Sequence, residues 1–115
     1  MTDYKKSKSF EERLSESNRI IEKYPDRLPI IVERKNTCKL NDIDKNKFLV
    51  PSDMVLTQFI YIIRKRIKLN SSEALFFFIE NNVPVQSSTI MELYNIHKDK
   101  DGFLYIIYNS ENTFG

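Results

Sequence analysis

Two glycines, one cysteine, one histidine and no tryptophan in 115 residues remove several possibilities before any pattern is read. Cys38 has no second thiol to pair with, which excludes an internal disulfide. No charged-then-apolar leader opens the sequence, so a reducing, unsecreted setting, cytosol or nucleus, is expected. His97 and Cys38 fall in different segments with no repeated ligand spacing, which leaves metal binding and catalysis without support. No apolar stretch approaches the roughly 20 residues that cross a bilayer, so any membrane attachment has to be added to the chain. The net charge of +2 is spread through mixed Lys and Glu segments rather than gathered into one basic face, and nucleic acid is not the expected partner.

The scarcity of glycine gives weight to where the two stand. Gly102 follows Asp101 in a turn dipeptide, and Gly115 is the last residue, after a polar stretch and Phe114. A terminal residue without a side chain suits a carboxylate that threads a narrow enzyme channel and is activated as an acyl donor, as in ubiquitin-like modifiers. A chance ending fits the terminus alone equally well.

With 41% hydrophobic residues, the chain is long enough for one domain with a real core and too short for two. Ser9-Phe10-Glu11-Glu12 is a capping box and predicts an amphipathic helix that ends before Pro25. The β-branched run 28–33 predicts a buried strand, and 47–51 a second strand paired antiparallel with it. Pro51 has no amide to donate, which places the second strand at a sheet edge. Ser52-Asp53 is expected to cap a helix running to about Ile67. A third strand over 75–79, a turn at 81–84, a short helix over 89–94 and a final strand over 104–108 complete the order, with 1–8 a polar arm, helical or loose.

Two features ask for a partner. The helix ending near Ile67 carries Leu56, Ile60, Ile63 and Ile67 as one apolar stripe and Val55, Phe59 and Ile62 as a second, either a broad core face or a groove wall. In the second strand Phe48 and Val50 point one way and Lys47, Leu49 and Pro51 the other, so both sides want apolar cover. An edge strand with pockets on both sides suits β-augmentation, in which a peptide adds main-chain hydrogen bonds while its side chains enter the pockets. The basic run 64–68 is expected to be a solvated face, and Phe76-Phe77-Phe78 to be strand core.

The blocks Glu22 through Glu33, Lys47 through Asp53, Phe59 with Ile63 through Ile67, Ala74 through Phe78, and Phe103-Leu104-Tyr105 with the terminal aromatic-Gly pair resemble the GABARAP and light-chain-three type of autophagy ubiquitin-like modifiers over essentially the whole chain. The resemblance implies an α+β, ubiquitin-like β-grasp domain with a four-stranded mixed sheet and two added N-terminal helices. It divides one domain into a helical subdomain (1–24), a β-grasp core (25–108) and a conjugation tail (109–115). It implies no enzyme activity and no cofactor, but a Gly115 carboxylate joined to phosphatidylethanolamine by E1-like and E2-like enzymes and released by a cysteine protease. A monomer is expected, cytoplasmic until lipidation makes it peripheral on autophagosomes or other vesicles.

It further implies a surface for cargo receptors bearing aromatic-x-x-aliphatic motifs. The aromatic pocket would be lined by Glu16, Ile20, Pro29, Lys47, Leu49 and Phe103. The aliphatic pocket would use Phe48, Val50, Pro51, Met54, Phe59 and Ile62, and Arg27, Lys45 and Arg66 would meet acidic flanks. Many relatives continue past the glycine and need a priming protease, a step this ending would make unnecessary or already complete. Phe48 stands where close relatives often carry tyrosine. A non-covalent adaptor on the same fold, in vesicle trafficking or cytoskeletal attachment, is the other function class.

Overall fold

In the computed structural model, which describes residues 2–112, the long apolar run becomes β1 (Arg27–Arg34), and β2 (Lys47–Pro51), β3 (Phe76–Phe78) and β4 (Leu104–Asn109) join it in one sheet. The order is β2-β1-β4-β3, with β1 and β4 parallel at the centre and both outer pairs antiparallel. β1 is buried from Leu28 through Glu33 because helices cover both sides of it, as an unbroken apolar strand requires. On one side Ile30, Val32, Leu104, Ile106 and Tyr108 meet α3 (Leu56–Arg66) and α4 (Ile90–His97), whose Leu56, Ile63 and Ile90 are fully enclosed. On the other, Ile31 and Phe103 pack with Ile20 and Tyr4 under α1 (Asp3–Ser7) and α2 (Phe10–Lys23).

The Ser9–Glu12 box is formed at the start of α2, and β2 lies at the edge that Pro51 indicates. Besides one-residue extensions of β1 and β4, three boundaries differ from expectation. Ser52 and Asp53 do not cap α3; they lie in a turn, and the helix starts at Leu56 with Val55 as its N-cap. The free amides of its first turn donate instead to the backbone, Leu56 to Ser88 O at 2.9 Å and Thr57 to Gln86 O at 3.2 Å, so no side-chain cap is needed. β3 is shorter than 75–79 because Ile79 turns away to exchange two backbone bonds with Asn82 around Glu80 and Asn81, both at positive φ. That left-handed pair is the geometry of a tight two-residue turn. α4 runs beyond Tyr94 to His97, whose ring meets the Glu80 carboxylate at 2.9 Å.

Within the polar arm, α1 is held against the sheet by Tyr4 and by Lys5, whose ammonium lies 2.6 Å from Asp99. The Tyr4 amide donates to Glu33 Oε2 at 2.9 Å, while Glu33 Oε1 is enclosed without a donor. Burial raises the Glu33 carboxyl above its ordinary value of 4.5, Asp3 adds repulsion, and the Tyr4 amide opposes the shift without cancelling it. Folding therefore favours the neutral acid: its contribution is complete below pH 4.5 and is lost as pH rises through the raised folded value. Glu12, Glu16, Glu92 and Asp99 are shifted the other way and are felt at lower pH. Denaturant unfolding followed from about pH 4 to 8 should show this decline, and Glu33→Gln should flatten it. A Glu33→Gln profile parallel to that of the unaltered protein would refute the assignment.

Candidate functional site

The edge strand β2 carries the candidate site. Asn46 O accepts from Val32 and the Ser52 amide donates to Asp26 O, so the main-chain groups of even-numbered residues face β1. By strand alternation, those of Lys47 and Leu49, and the carbonyl of Pro51, face outward. Pro51 lacks only an amide that would have pointed away from the sheet. Arg27 reaches round from β1 to donate to the outward Leu49 carbonyl at 3.3 Å.

α2 and α3 flank this edge. On the α2 side, the six aromatic-pocket residues come from four places: Glu16 and Ile20 on α2, Pro29 on β1, Lys47 and Leu49 on β2, and Phe103 at the foot of β4. Leu49 and Pro29 are partners across the ladder, and Ile20 packs in the cluster of the fully buried Phe103. The Lys47 ammonium is hydrogen-bonded to Glu16 Oε2, a strut from the edge strand to α2. Burial works against the Glu16 carboxylate, yet the bonds from Lys47 and Tyr4, with Lys8 nearby, hold it below the ordinary carboxylate value.

On the α3 side, Phe48 and Phe59 meet edge to face at 5.7 Å, and Phe59 continues to Phe77 at 6.0 Å. Phe48, Val50 and Phe59 belong to the main core and are at most 7% exposed. They form a floor, leaving half-buried Pro51 and Met54 and the exposed Ile62 as accessible surface. The second stripe of α3 is thus divided, Phe59 serving the core and Ile62 facing solvent. Lys45 and Arg66 both lie over the Phe48 ring, at 5.2 and 5.5 Å. Arg66 also donates to Asp44 at 2.9 Å, so its charge is already paired within the chain.

The basic run is not uniformly solvated. Arg64 donates to Glu73 O at 2.8 Å and Asn70 O at 2.9 Å, fastening the loop after α3. Phe76-Phe77-Phe78 contributes two buried rings and one half-buried one to β3. Among the described residues there is no helix long and apolar enough to cross a membrane and no cluster of His, Cys, Asp and Glu able to hold a metal. Gly115 and Phe114 lie outside the described residues.

Tyr4 is absent from the residue set implied by the resemblance, yet it lies directly behind the aromatic side. Its ring packs edge to face on Phe103 at 5.3 Å, its hydroxyl donates to Glu16 Oε1, and Lys47 Nζ lies 5.8 Å from its centroid. The signal in the sequence is one aromatic residue set among the polar residues of the arm.

α2 is fixed in place by a buried polar clamp. The Arg13 guanidinium lies 2.6 Å from the fully buried Asp101 carboxylate, which also accepts from Tyr105 Oη at 2.5 Å and the Phe103 amide at 2.9 Å. Ser17 donates to Asp101 O at 2.5 Å. Gly102, at φ +88°, permits this approach, since a Cβ there would stand 2.3 Å from Ser17 Oγ. Arg13, Glu16, Ser17 and Ile20 share one face of α2, so the clamp and the groove wall are set together.

Residues 12–115 match the family model for the autophagy protein Atg8, described as ubiquitin-like. Autophagy-related protein 8a of Arabidopsis thaliana is 50% identical over 99% of this chain and 93% of its own length. Autophagy-related protein 8 of Mycosarcoma maydis is 48% identical over 97% and 95%. The crystal structure of Trypanosoma brucei ATG8 is 42% identical and superposes with a TM-score of 0.92 over 100% of this chain and 99% of that one. Plasmodium falciparum Atg8, solved in complex with a Plasmodium falciparum Atg3 peptide, is 36% identical and superposes at 0.91 over 99% and 100%. The sheet order, the helices on both of its faces and these full-length similarities make the chain a member of the Atg8 family of ubiquitin-like autophagy proteins.

Proposed function

We propose that this chain is conjugated through the Gly115 carboxylate to phosphatidylethanolamine and, on the membrane, recruits partners whose aromatic-x-x-aliphatic motifs dock along β2. The observation that supports the docking half is the strand-free edge of β2: Lys47 and Leu49 present main-chain groups outward between two apolar flanks, the Leu49 carbonyl being met by the Arg27 side chain alone among the described residues. A relative has been solved with an Atg3 peptide, which supports peptide recognition and an E2-like partner. An aromatic and an aliphatic anchor, each contributing roughly 1.5 to 3 kcal/mol, together with ladder bonds and less the cost of ordering the peptide, suit micromolar affinity, about 8 kcal/mol. Lys45 and Arg27 steer acidic flanks rather than supply most of the affinity, and Arg66 joins them only by exchanging its Asp44 partner for an acidic residue of the peptide.

In the conjugation half, the terminal carboxylate attacks ATP to give an acyl adenylate and pyrophosphate, an enzyme thiol displaces AMP to form a thioester, and the lipid amine displaces that thiol to form an amide. A deconjugating cysteine protease would reverse it by hydrolysis. Two acyl chains then give stable, peripheral attachment to autophagosomes or related vesicles, where one chain gives only a marginal hold.

Every residue of the docking edge precedes the tail, which is what the alternative reading, a non-covalent adaptor, requires. One experiment separates the two. With the E1-like and E2-like enzymes, ATP and phosphatidylethanolamine liposomes, the chain is expected to gain the mass of the lipid less water. Gly115→Ala should lose that gain and keep its peptide affinity. Modification of the Gly115→Ala chain to the same extent, or none of the unaltered chain, sinks the conjugation reading.

A further inference from the structure

The groove wall on α2 has an unusual dependence on the N-terminal arm. Glu16 is met by two donors, Lys47 from the edge strand and the Tyr4 hydroxyl from α1, and forms a looser ion pair with Lys8, 3.6 Å away in the segment between α1 and α2. The pair Glu16–Lys47 joins the two sides of the aromatic pocket, so an incoming aromatic ring has to part or swing that pair aside. Tyr4 is 5% exposed, fixed by its ring contact to Phe103 and by the hydrogen bond its backbone amide donates to Glu33. Its hydroxyl is therefore a stationary donor that holds Glu16 in the orientation Lys47 uses.

We infer that Tyr4 is a positioning residue of the peptide site: by fastening Glu16 it keeps the Glu16–Lys47 strut closed, so the docked arm opposes entry of an aromatic side chain. The inference rests on the docking reading above. Removing the hydroxyl frees the Glu16 side chain to change rotamer and weakens the strut without removing either charge. Lys8, the other cation at Glu16, is half-buried and lies over the Tyr4 ring at 5.7 Å. At 3.6 Å from Glu16 Oε1 it is an ion-pair neighbour beyond hydrogen-bond distance, not a second fixed donor.

The probe is a synthetic peptide with a Trp-x-x-Leu core preceded by an acidic run, titrated by calorimetry into the full chain. Tyr4→Phe is expected to bind it about 3- to 10-fold more tightly, the range that corresponds to one hydrogen bond at the site. The effect should vanish in a Glu16→Gln background, where the strut is already weakened. A merely structural role for Tyr4 predicts the same change in both backgrounds. Unchanged or weaker binding by Tyr4→Phe, or an equal gain with and without Glu16, overturns the inference.

A second readout needs no peptide. Carbon-detected titration of the Glu16 carboxyl should move upward in Tyr4→Phe, accompanied by shifts in the Lys47 amide. If the unaltered chain binds no peptide, the docking reading fails and this titration alone decides: an upward shift upholds the fastening of the strut, and an unmoved Glu16 overturns it.

Discussion

Asp101→Ala should be the most damaging single substitution among the polar residues, lowering stability by about 3 to 5 kcal/mol because it leaves a buried guanidinium without its counterion. The carboxylate is fully enclosed and accepts from Arg13, Tyr105 and the Phe103 amide at once. Each of those donors would lose this acceptor, Arg13 keeping only its bond to Lys8 O at 3.3 Å, and a buried donor left unsatisfied costs more than its bond contributed. A domain of this size unfolds with a total of about 5 to 15 kcal/mol, so a large share of the margin disappears, and the midpoint of thermal unfolding falls by roughly 10 °C or more. Arg13→Met combined with Asp101→Leu is the informative control. Replacing both charges by apolar groups removes the desolvation penalty as well as the attraction, so the double variant should be closer to the unaltered protein than Asp101→Ala is. A loss below about 1 kcal/mol for Asp101→Ala in denaturant unfolding would mean that water reaches Arg13 and that the clamp does not set the position of α2.

That clamp also shows where reading the sequence stops. The β-branched run of β1, the Ser9–Glu12 box and the edge placement of Pro51 all depend on neighbours a few residues away, and each was legible. The start of α3 was not, because its first amides are met by Ser88 and Gln86 carbonyls some thirty residues later, contacts that a local capping rule does not contain. Arg13 with Asp101 and Tyr4 with Phe103 are farther apart still, and no spacing pattern joins the ends of a chain that meet only across a sheet. The docking edge was legible as an edge with apolar demand on both sides. The identity of its pocket residues came from the resemblance, residue by residue. The division of labour within the second stripe of α3 required the fold, since periodicity places Phe59 and Ile62 on adjoining faces and only packing against Phe48 and Phe77 decides which one is enclosed.

The enclosure of Phe59 gives the second large effect, a contrast with Leu49, another apolar residue of the candidate site. Phe59 is 2% exposed and stands between Phe48 and Phe77. Phe59→Ala opens a cavity in the main core and should cost about 3 to 5 kcal/mol of stability, with any loss of binding following from the loss of fold. Leu49 is half-buried, on the opposite face of β2 from the main core, beside the Glu16–Lys47 strut. In the free protein its side chain has solvent to lose when a partner arrives, which is the condition for an apolar residue to contribute to binding rather than to folding. Leu49→Ala should therefore leave the unfolding midpoint within a few degrees of the unaltered protein, while weakening the Trp-x-x-Leu peptide about tenfold or more, equivalent to about 1.4 kcal/mol. Thermal unfolding and calorimetric titration of the two variants side by side provide the check. Should Leu49→Ala bind the peptide as well as the unaltered chain while remaining folded, the partner does not lie along β2, and the edge strand would be structure without a docking role.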